Sequence, residues 1–326
     1  MKELVESFVD QLNEGLTIAN QAIISKSENI HQIIISGLGG SGIGGTILSE
    51  LISDSCTVPV IINKDYFLPA FTGPNTLVII SSYSGNTEET LQAMQQALEK
   101  KAQIVCVCSG GKVYELAKQH QLDHIIIPGG NPPRSCIGYS LIQLIKIFIA
   151  KGFASNSLLS DLKKAIHLLD QEKNNIKTKA QQIASKISNK IPVIYSLGSC
   201  EGVSVRFRQQ INENSKMLCW HHVFPEMNHN ELVGWTTKND NLAVLTFHTS
   251  FDYKRTKKRY EICKPIFEKY SSGVIDIEAK GESKLEQFLY LINIGDWISC
   301  YIADIRAIDP VEVNVINHLK SELSKF

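Results

Sequence analysis

Apolar residues along the chain change their spacing several times, and each change marks a new element. Near the N-terminus Leu4, Phe8, Val9, Leu12 and Leu16 fall on one stripe, which predicts a single amphipathic helix. Short unbroken runs of Ile, Val and Leu then take over, in "QIIISG", "TVPVIINKDY", "NTLVIISSYSG", "QIVCVCSGG" and "HIIIPGG". Runs that are apolar on both faces mark parallel strands covered on both sides. Between them "GSGIGGTILSELIS", "NTEETLQAMQQALEKKA", "VYELAKQHQ" and "SCIGYSLIQLIKIFIAKG" carry helical spacing. Strand–helix alternation of this kind predicts a doubly wound α/β sheet.

After a polar helical segment, "SDLKKAIHLLDQEKNNIKTKAQQIASKISNK", the order restarts. "IPVIYSLGSCEGVSVRFRQQIN" repeats the strand–turn–helix of "QIIISGLGGSGIGGTILSELIS", and "NLAVLTFHTS" repeats "TLVIISSYSG". The expected architecture is therefore α/β, two doubly wound parallel-sheet subdomains with helices on both faces, residues 1–153 and 154–326. The second copy lacks the glycines and most of the hydroxyls of the first. An anion held in the loops of the first copy is not expected in the second.

Composition narrows the partners. Lys plus Arg and Asp plus Glu both number 33 in 326 residues, so no global positive field marks a nucleic-acid or membrane partner. The N-terminus has no apolar core of the kind a signal peptide needs. The longest apolar stretch, residues 137–150, is interrupted by Gln143 and Lys146 and is too short to span a bilayer. A cytoplasmic location is expected. The eight cysteines follow no metal-ligand spacing, and Cys106 and Cys108 read as buried free thiols of a reducing compartment.

Two loops at strand ends hold the candidate chemistry. In "IIISGLGGSGIGG", residues 33–45, Gly37, Gly39 and Gly42 spell the spacing of a dinucleotide-binding turn, with Asp65 placed to meet ribose hydroxyls. In "SSYSGNTEET", residues 81–90, Ser82, Ser84 and Thr87 gather around Gly85 just before a helix. Hydroxyls and free amides at a helix start suit a phosphate monoester and need no lysine. Ser84 or Asn86 acting only as a helix cap is the plainer alternative.

The two loops together resemble the sugar isomerase (SIS) domain, which binds phosphosugars. "PGGNPPRSCIGY" (128–139), "QINENSK" (210–216), "PEMNHNELVGW" (225–235) and the C-terminal "DPVEVNVINHLKSEL" extend the likeness over nearly the whole chain. The chain resembles the bifunctional phosphoglucose/phosphomannose isomerase family. The resemblance implies an aldose–ketose isomerase that links glucose 6-phosphate, and mannose 6-phosphate, to fructose 6-phosphate through a cis-enediol. It implies a small phosphosugar as substrate, no nucleic-acid or membrane partner, no cofactor and no metal.

Residue by residue, the resemblance places the phosphate on Ser41, Ser82, Ser84 and Thr87, with the Gly40 amide as a helper. The glycines are expected to let the first turn pass close to the sugar. Glu213 is the base that moves the proton between C1 and C2, and Arg134 steadies the enediolate charge. His229 is the ring-opening acid/base, an imidazole whose ordinary pKa near 6.5 suits that exchange. It reaches the neighbouring subunit's site, which implies a homodimer. Glu226 and Asn228 flank it and are expected to orient it. Lys320, with Lys325 as an alternative register, lies beside the sugar ring. Without the resemblance, Glu213, Arg134 and Lys320 read as ordinary surface charges. A metal held by His221, His222 and His229 is disfavoured, because adjacent strand residues point to opposite faces. A non-catalytic phosphosugar-binding regulator and a nicotinamide-dependent oxidoreductase are the readings from other classes.

Overall fold

The computed structural model describes residues 1–198 and 200–326. The first half builds β1 (Gln32–Ser36), α3 (Gly39–Leu51), β2 (Val60–Asn63), β3 (Thr76–Ser82), α4 (Glu88–Glu99), β4 (Gln103–Cys108), α5 (Gly111–Gln119), β5 (Asp123–Ile126) and α6 (Ile137–Ala150). Ahead of them lie α1 (Lys2–Glu6) and α2 (Phe8–Gln21). The single N-terminal helix expected from the apolar stripe is thus broken at Ser7. Val5 and Phe8, on either side of the break, are both buried.

The second half follows with α7 (Ser157–Ile187), β6 (Ile191–Ser196), α8 (Glu201–Ser215), β7 (Trp220–Val223), β8 (Leu242–His248), α9 (Lys254–Tyr270), β9 (Val274–Glu278), α10 (Lys284–Ile305) and α11 (Asn314–Leu323). Each half makes one parallel sheet. The first has order β2-β1-β3-β4-β5, and the second β7-β6-β8-β9.

In both sheets the chain starts at an inner strand, steps to one edge, then crosses back. The strand order therefore reverses between β1 and β3, and again between β6 and β8. Crevices at such reversals are where open α/β sheets hold ligands. β1 and β3 pair directly, Ser36 opposite Ile80, so the two hydroxyl- and glycine-rich loops leave neighbouring strands.

One hydrophobic cluster runs through both halves. It takes in Ile33, Ile35 and Leu77 of the first sheet, Ile194 and Leu245 of the second, and the inner faces of α3, α6, α7, α8 and α10. Of the helices, α10 rather than residues 137–150 has the longest apolar course. Over 22 residues it is long and apolar enough to cross a membrane, but 83% of its most apolar window is buried in the protein. It is the central core helix.

Candidate active site

The two hydroxyl- and glycine-rich loops lie at the β1/β3 reversal. Ser41 stands in the first turn of α3 and is buried, and its Oγ accepts the Tyr83 amide at 2.9 Å. Ser82 ends β3, almost fully buried, and donates its hydroxyl to Thr87 Oγ1 at 3.1 Å. Thr87 is the N-cap of α4, yet its side chain makes no capping bond. The exposed Ser84 hydroxyl accepts the Asn86 amide at 3.2 Å and caps no helix. The first-turn amides of α4 are thus left pointing outward, as an anion site requires. α3 likewise starts without a side-chain cap.

Two of the glycines are required by contacts inside the chain. A Cβ on Gly40 would sit 2.7 Å from the Pro133 carbonyl oxygen, and one on Gly42 would sit 2.2 Å from the Gly37 oxygen. These are contacts within the chain. At Gly40 and Gly42 neighbouring backbone presses on the turn, and at Gly40 that backbone belongs to the loop carrying Arg134, whereas a Cβ on Gly39, at φ 52°, would meet nothing within 4 Å.

Arg134 lies in a 3-10 turn, Pro133–Ser135, between β5 and α6. Gln11 of α2 braces this turn, donating to Ser135 O at 2.7 Å and accepting from the Gly138 amide at 2.7 Å. The guanidinium is buried, only 6% exposed, and spends its donors across the molecule. Nε donates to Asn214 Oδ1 at 2.7 Å, one terminal nitrogen to Glu213 Oε2 at 3.2 Å, and the other to Pro310 O at 2.6 Å.

Glu213 is the partner that keeps access to solvent, with 30% of its side chain exposed. It sits in the last turn of α8, which is fixed to α10. Asn214 donates to Ser299 Oγ at 2.9 Å, and Ser215 to Ser299 O at 2.8 Å. Deeper in, Arg206 donates both to the Arg134 carbonyl at 3.0 Å and to Asp296 Oδ2 at 2.6 Å, while Gln210 donates to Asp296 Oδ1 at 2.8 Å. Asp296 is fully buried, which pushes its carboxyl above the ordinary range despite the arginine beside it.

Lys216 ends α8 in the left-handed conformation, φ 53°. That costs a non-glycine residue roughly 1–2 kcal/mol. The offset is its ammonium, which bridges Glu213 O and Glu312 O, each at 2.6 Å. Burial lowers the Lys216 pKa. Arg134 and Lys216 together strap residues 309–312 across the site and so aim α11. An apolar pocket of about 420 Å³ lies between the start of α11 and the end of α8, lined by Glu213, Met217, Val313 and Ile316 among others.

Lys320 is exposed, one turn beyond Ile316 on the same side of α11. Lys325 pairs with Glu322 at 2.6 Å in the solvent. His229 is not at this site. It ends a 3-10 turn, Glu226–His229, that follows the carboxyl end of β7, whereas Glu213 lies where β6 and β7 begin. The rise of α8 from its start to Glu213 is about 18 Å and spans that separation. The expected orienting neighbours do not bond the imidazole: Glu226 accepts from Asn230 at 2.8 Å, and Asn228 donates to Cys263 Sγ at 3.3 Å.

One chain thus brings together Gly40, Ser41, Ser82, Thr87, Arg134 and Glu213, leaves Ser84 exposed beside them and Lys320 exposed on α11, and keeps His229 apart. Asn214, Lys216, Arg206 and Asp296 are structural partners that the reading of the sequence missed. A single Asp inside the apolar run "LINIGDWISC" was the available signal. Among the described residues, no three His, Cys, Asp or Glu side chains converge as metal ligands would.

The counterpart turn in the second half is already filled. At the start of α8 the Gly202 amide donates to Glu50 Oε1 at 2.7 Å. Burial pushes the Glu50 carboxyl up to about 8, against the pull of that amide and of Lys64.

Comparison with known proteins fits this arrangement. The SIS domain family matches residues 27–131, and the bacterial phospho-glucose isomerase C-terminal SIS domain family matches residues 176–323. The bifunctional phosphoglucose/phosphomannose isomerase of Caldicellulosiruptor bescii is 39% identical, covering 100% of this chain and 99% of its own. That of Thermoplasma acidophilum is 38% identical over 90% of this chain and 89% of its own. Among solved structures, the C-terminal domain of glucosamine-fructose-6-phosphate aminotransferase from Francisella tularensis superposes with a TM-score of 0.76. At 14% identity, covering 95% of this chain and 96% of that one, it shares the fold. The chain belongs to the bifunctional phosphoglucose/phosphomannose isomerase family, within the SIS superfamily of phosphosugar isomerases.

Proposed function

We propose that the protein interconverts glucose 6-phosphate and fructose 6-phosphate through a cis-enediol, without a metal, and also accepts mannose 6-phosphate. The observation that carries this is the meeting of Arg134 with Glu213 beside the hydroxyl-lined loops. A carboxylate and a cation from different halves of the chain stand where the sugar end of an anchored phosphosugar would lie.

In this reading residues 1–153 hold the phosphate and residues 154–326 supply Glu213, His229 and Lys320. The hydroxyls of Ser41, Ser82, Ser84 and Thr87, with the Gly40 amide and those of the first α4 turn, receive the phosphate dianion. Glu213 removes the proton from C2 and returns it to C1. The charge that develops on the enediolate oxygens is steadied by Arg134, whose burial strengthens the interaction. His229 of a second copy protonates and deprotonates the ring oxygen, and Lys320 lies beside the ring. The pairing of a base with a cation favours this over a regulator that only binds phosphosugars. The mannose activity rests on the names of the relatives.

The test is conversion of glucose 6-phosphate and mannose 6-phosphate to fructose 6-phosphate in the presence of EDTA, for the native chain and for Glu213→Gln. Turnover of both sugars by the native chain, lost in the variant with phosphosugar binding retained, is expected. No turnover of either sugar, or near-native turnover by the variant, would overturn the proposal.

A further inference from the structure

The turn that carries His229 is anchored by a polar cluster with no part in the reaction described above. Tyr195 of β6 is fully buried, yet its hydroxyl donates to Glu231 Oε1. Trp220 Nε1 donates to the same oxygen at 3.2 Å, and Trp235 Nε1 donates to the Tyr195 hydroxyl at 3.0 Å. The Glu231 amide in turn donates to Asn230 Oδ1 at 2.6 Å. His229 is exposed, and no side-chain hydrogen bond to it is present among the described residues. Only its backbone can therefore set where the imidazole points. Two residues before it, Met227 is fully buried in the aromatic cluster of Tyr195, Phe224 and Phe267. Two residues after it comes Glu231.

We propose that Glu231 is a positioning residue for His229: its carboxylate, held by Tyr195 and Trp220, fixes the turn that presents the imidazole to the site of a second copy. The proposal rests on His229 being the ring-opening acid/base. Its physical basis is the placement of polar groups inside an apolar cluster. A phenol, two indoles and a carboxylate could be replaced by well-packed apolar side chains at little cost to stability. What such a replacement would lose is direction. The hydrogen bonds select one conformation of a turn that hydrophobic contact through Met227 alone would leave free to rock. A misplacement of about 1 Å at a reacting group can lower a rate about a hundredfold.

The experiment is a double-mutant cycle on kcat/KM for glucose 6-phosphate, using Glu231→Ala, His229→Ala and the double variant. Glu231→Ala is expected to lower kcat/KM about 10- to 100-fold when His229 is present, and less than about twofold when His229 is already alanine. Glu231→Gln is expected to recover most of the activity, because its amide oxygen still accepts from Tyr195 and Trp220. Trp220→Phe, which removes one donor from the half-buried rim, should give a smaller loss with the same dependence on His229, and serves if Glu231→Ala fails to fold. Equal losses in both His229 backgrounds would assign Glu231 to general stability and overturn the proposal. A Glu231→Gln as damaging as Glu231→Ala would overturn it in favour of a proton-transfer role. Native kcat/KM in His229→Ala alone would instead remove the reading of His229 on which the proposal stands.

Discussion

Mixing a Glu213→Gln chain with a His229→Ala chain should restore activity that neither has alone. The reasoning starts from the second sheet. β7 and β6 are parallel and in register, Val193 opposite Trp220 and Ser196 opposite Val223. α8 runs back from the end of β6 to where β7 begins, so Glu213 and His229 occupy opposite ends of the sheet. The rise of α8 from its start to Glu213, about 18 Å, carries Glu213 away from the carboxyl ends of β6 and β7, after which the His229 turn comes. On the proposed reading, each complete site takes Glu213 from one copy and His229 from the other. In a hybrid dimer one site draws an intact glutamate and an intact histidine, while the other lacks both. Random mixing makes half of the dimers hybrid, each with one working site, so the mixture should recover about a quarter of native specific activity. Each parent should lie about 10²- to 10⁴-fold below native, the usual worth of a proton-transfer group. The assay is fructose 6-phosphate conversion to glucose 6-phosphate, after the two chains are unfolded and refolded together. A mixture no more active than its parents would refute the reasoning. It would mean that both groups act from the same chain, or that His229 acts nowhere.

Three further outcomes follow from particular contacts. Thr87→Val keeps the shape of the residue but removes a hydroxyl assigned to the phosphate. It should raise KM about 10-fold or more with a smaller change in kcat, as expected for a lost hydrogen bond to a charged group; an unchanged KM would take Thr87 out of the anchor. Asp296→Asn leaves Arg206 buried without its counter-charge, and should cost about 3–5 kcal/mol of stability, read by denaturant unfolding. Glu50 makes stability fall with pH. The folded protein keeps that proton up to about 8, whereas an ordinary glutamate releases it near 4.5, so the stabilisation is complete below pH 4.5 and is lost as pH climbs through 8. The slope is about 1.4 kcal/mol per pH unit inside that window, and Glu50→Gln should flatten it in melts between about pH 5 and pH 8.5. Equal slopes in the two proteins would remove Glu50 as the cause.

The strands were legible because buried parallel strands must be apolar on both faces, and few other elements are. The anion loops were legible from residue type: hydroxyls and glycines at a strand end ahead of a helix have few other uses. The Arg134–Glu213 contact was not, since it joins residues 79 apart in sequence through the packing of one half on the other. The same holds for Glu50, whose partner Gly202 is 152 residues away. The break at Ser7 escaped notice because the apolar stripe continues through it. The glycine turn was legible only in part: spacing alone does not distinguish backbone pressed by a ligand from backbone pressed by Pro133.

Duplication of one α/β unit explains why the site is divided as it is. Both copies offer a helix start at a strand-order reversal, the feature that binds anions. In the first copy no side chain caps α3 or α4, and that vacancy is the phosphate anchor proposed here. In the second copy the carboxyl of Glu50, from the first, occupies the start of α8. With its start closed by protein, α8 has its other end free for chemistry. Asn214 and Ser215, tied to α10, hold that end beside Arg134. On the proposed reading, the helix that in one copy would begin at a ligand thus ends at one in the other. Its length sets the carboxyl end of β7, and His229 with it, at the far end of the sheet from Glu213, so a histidine from a second copy would complete the site.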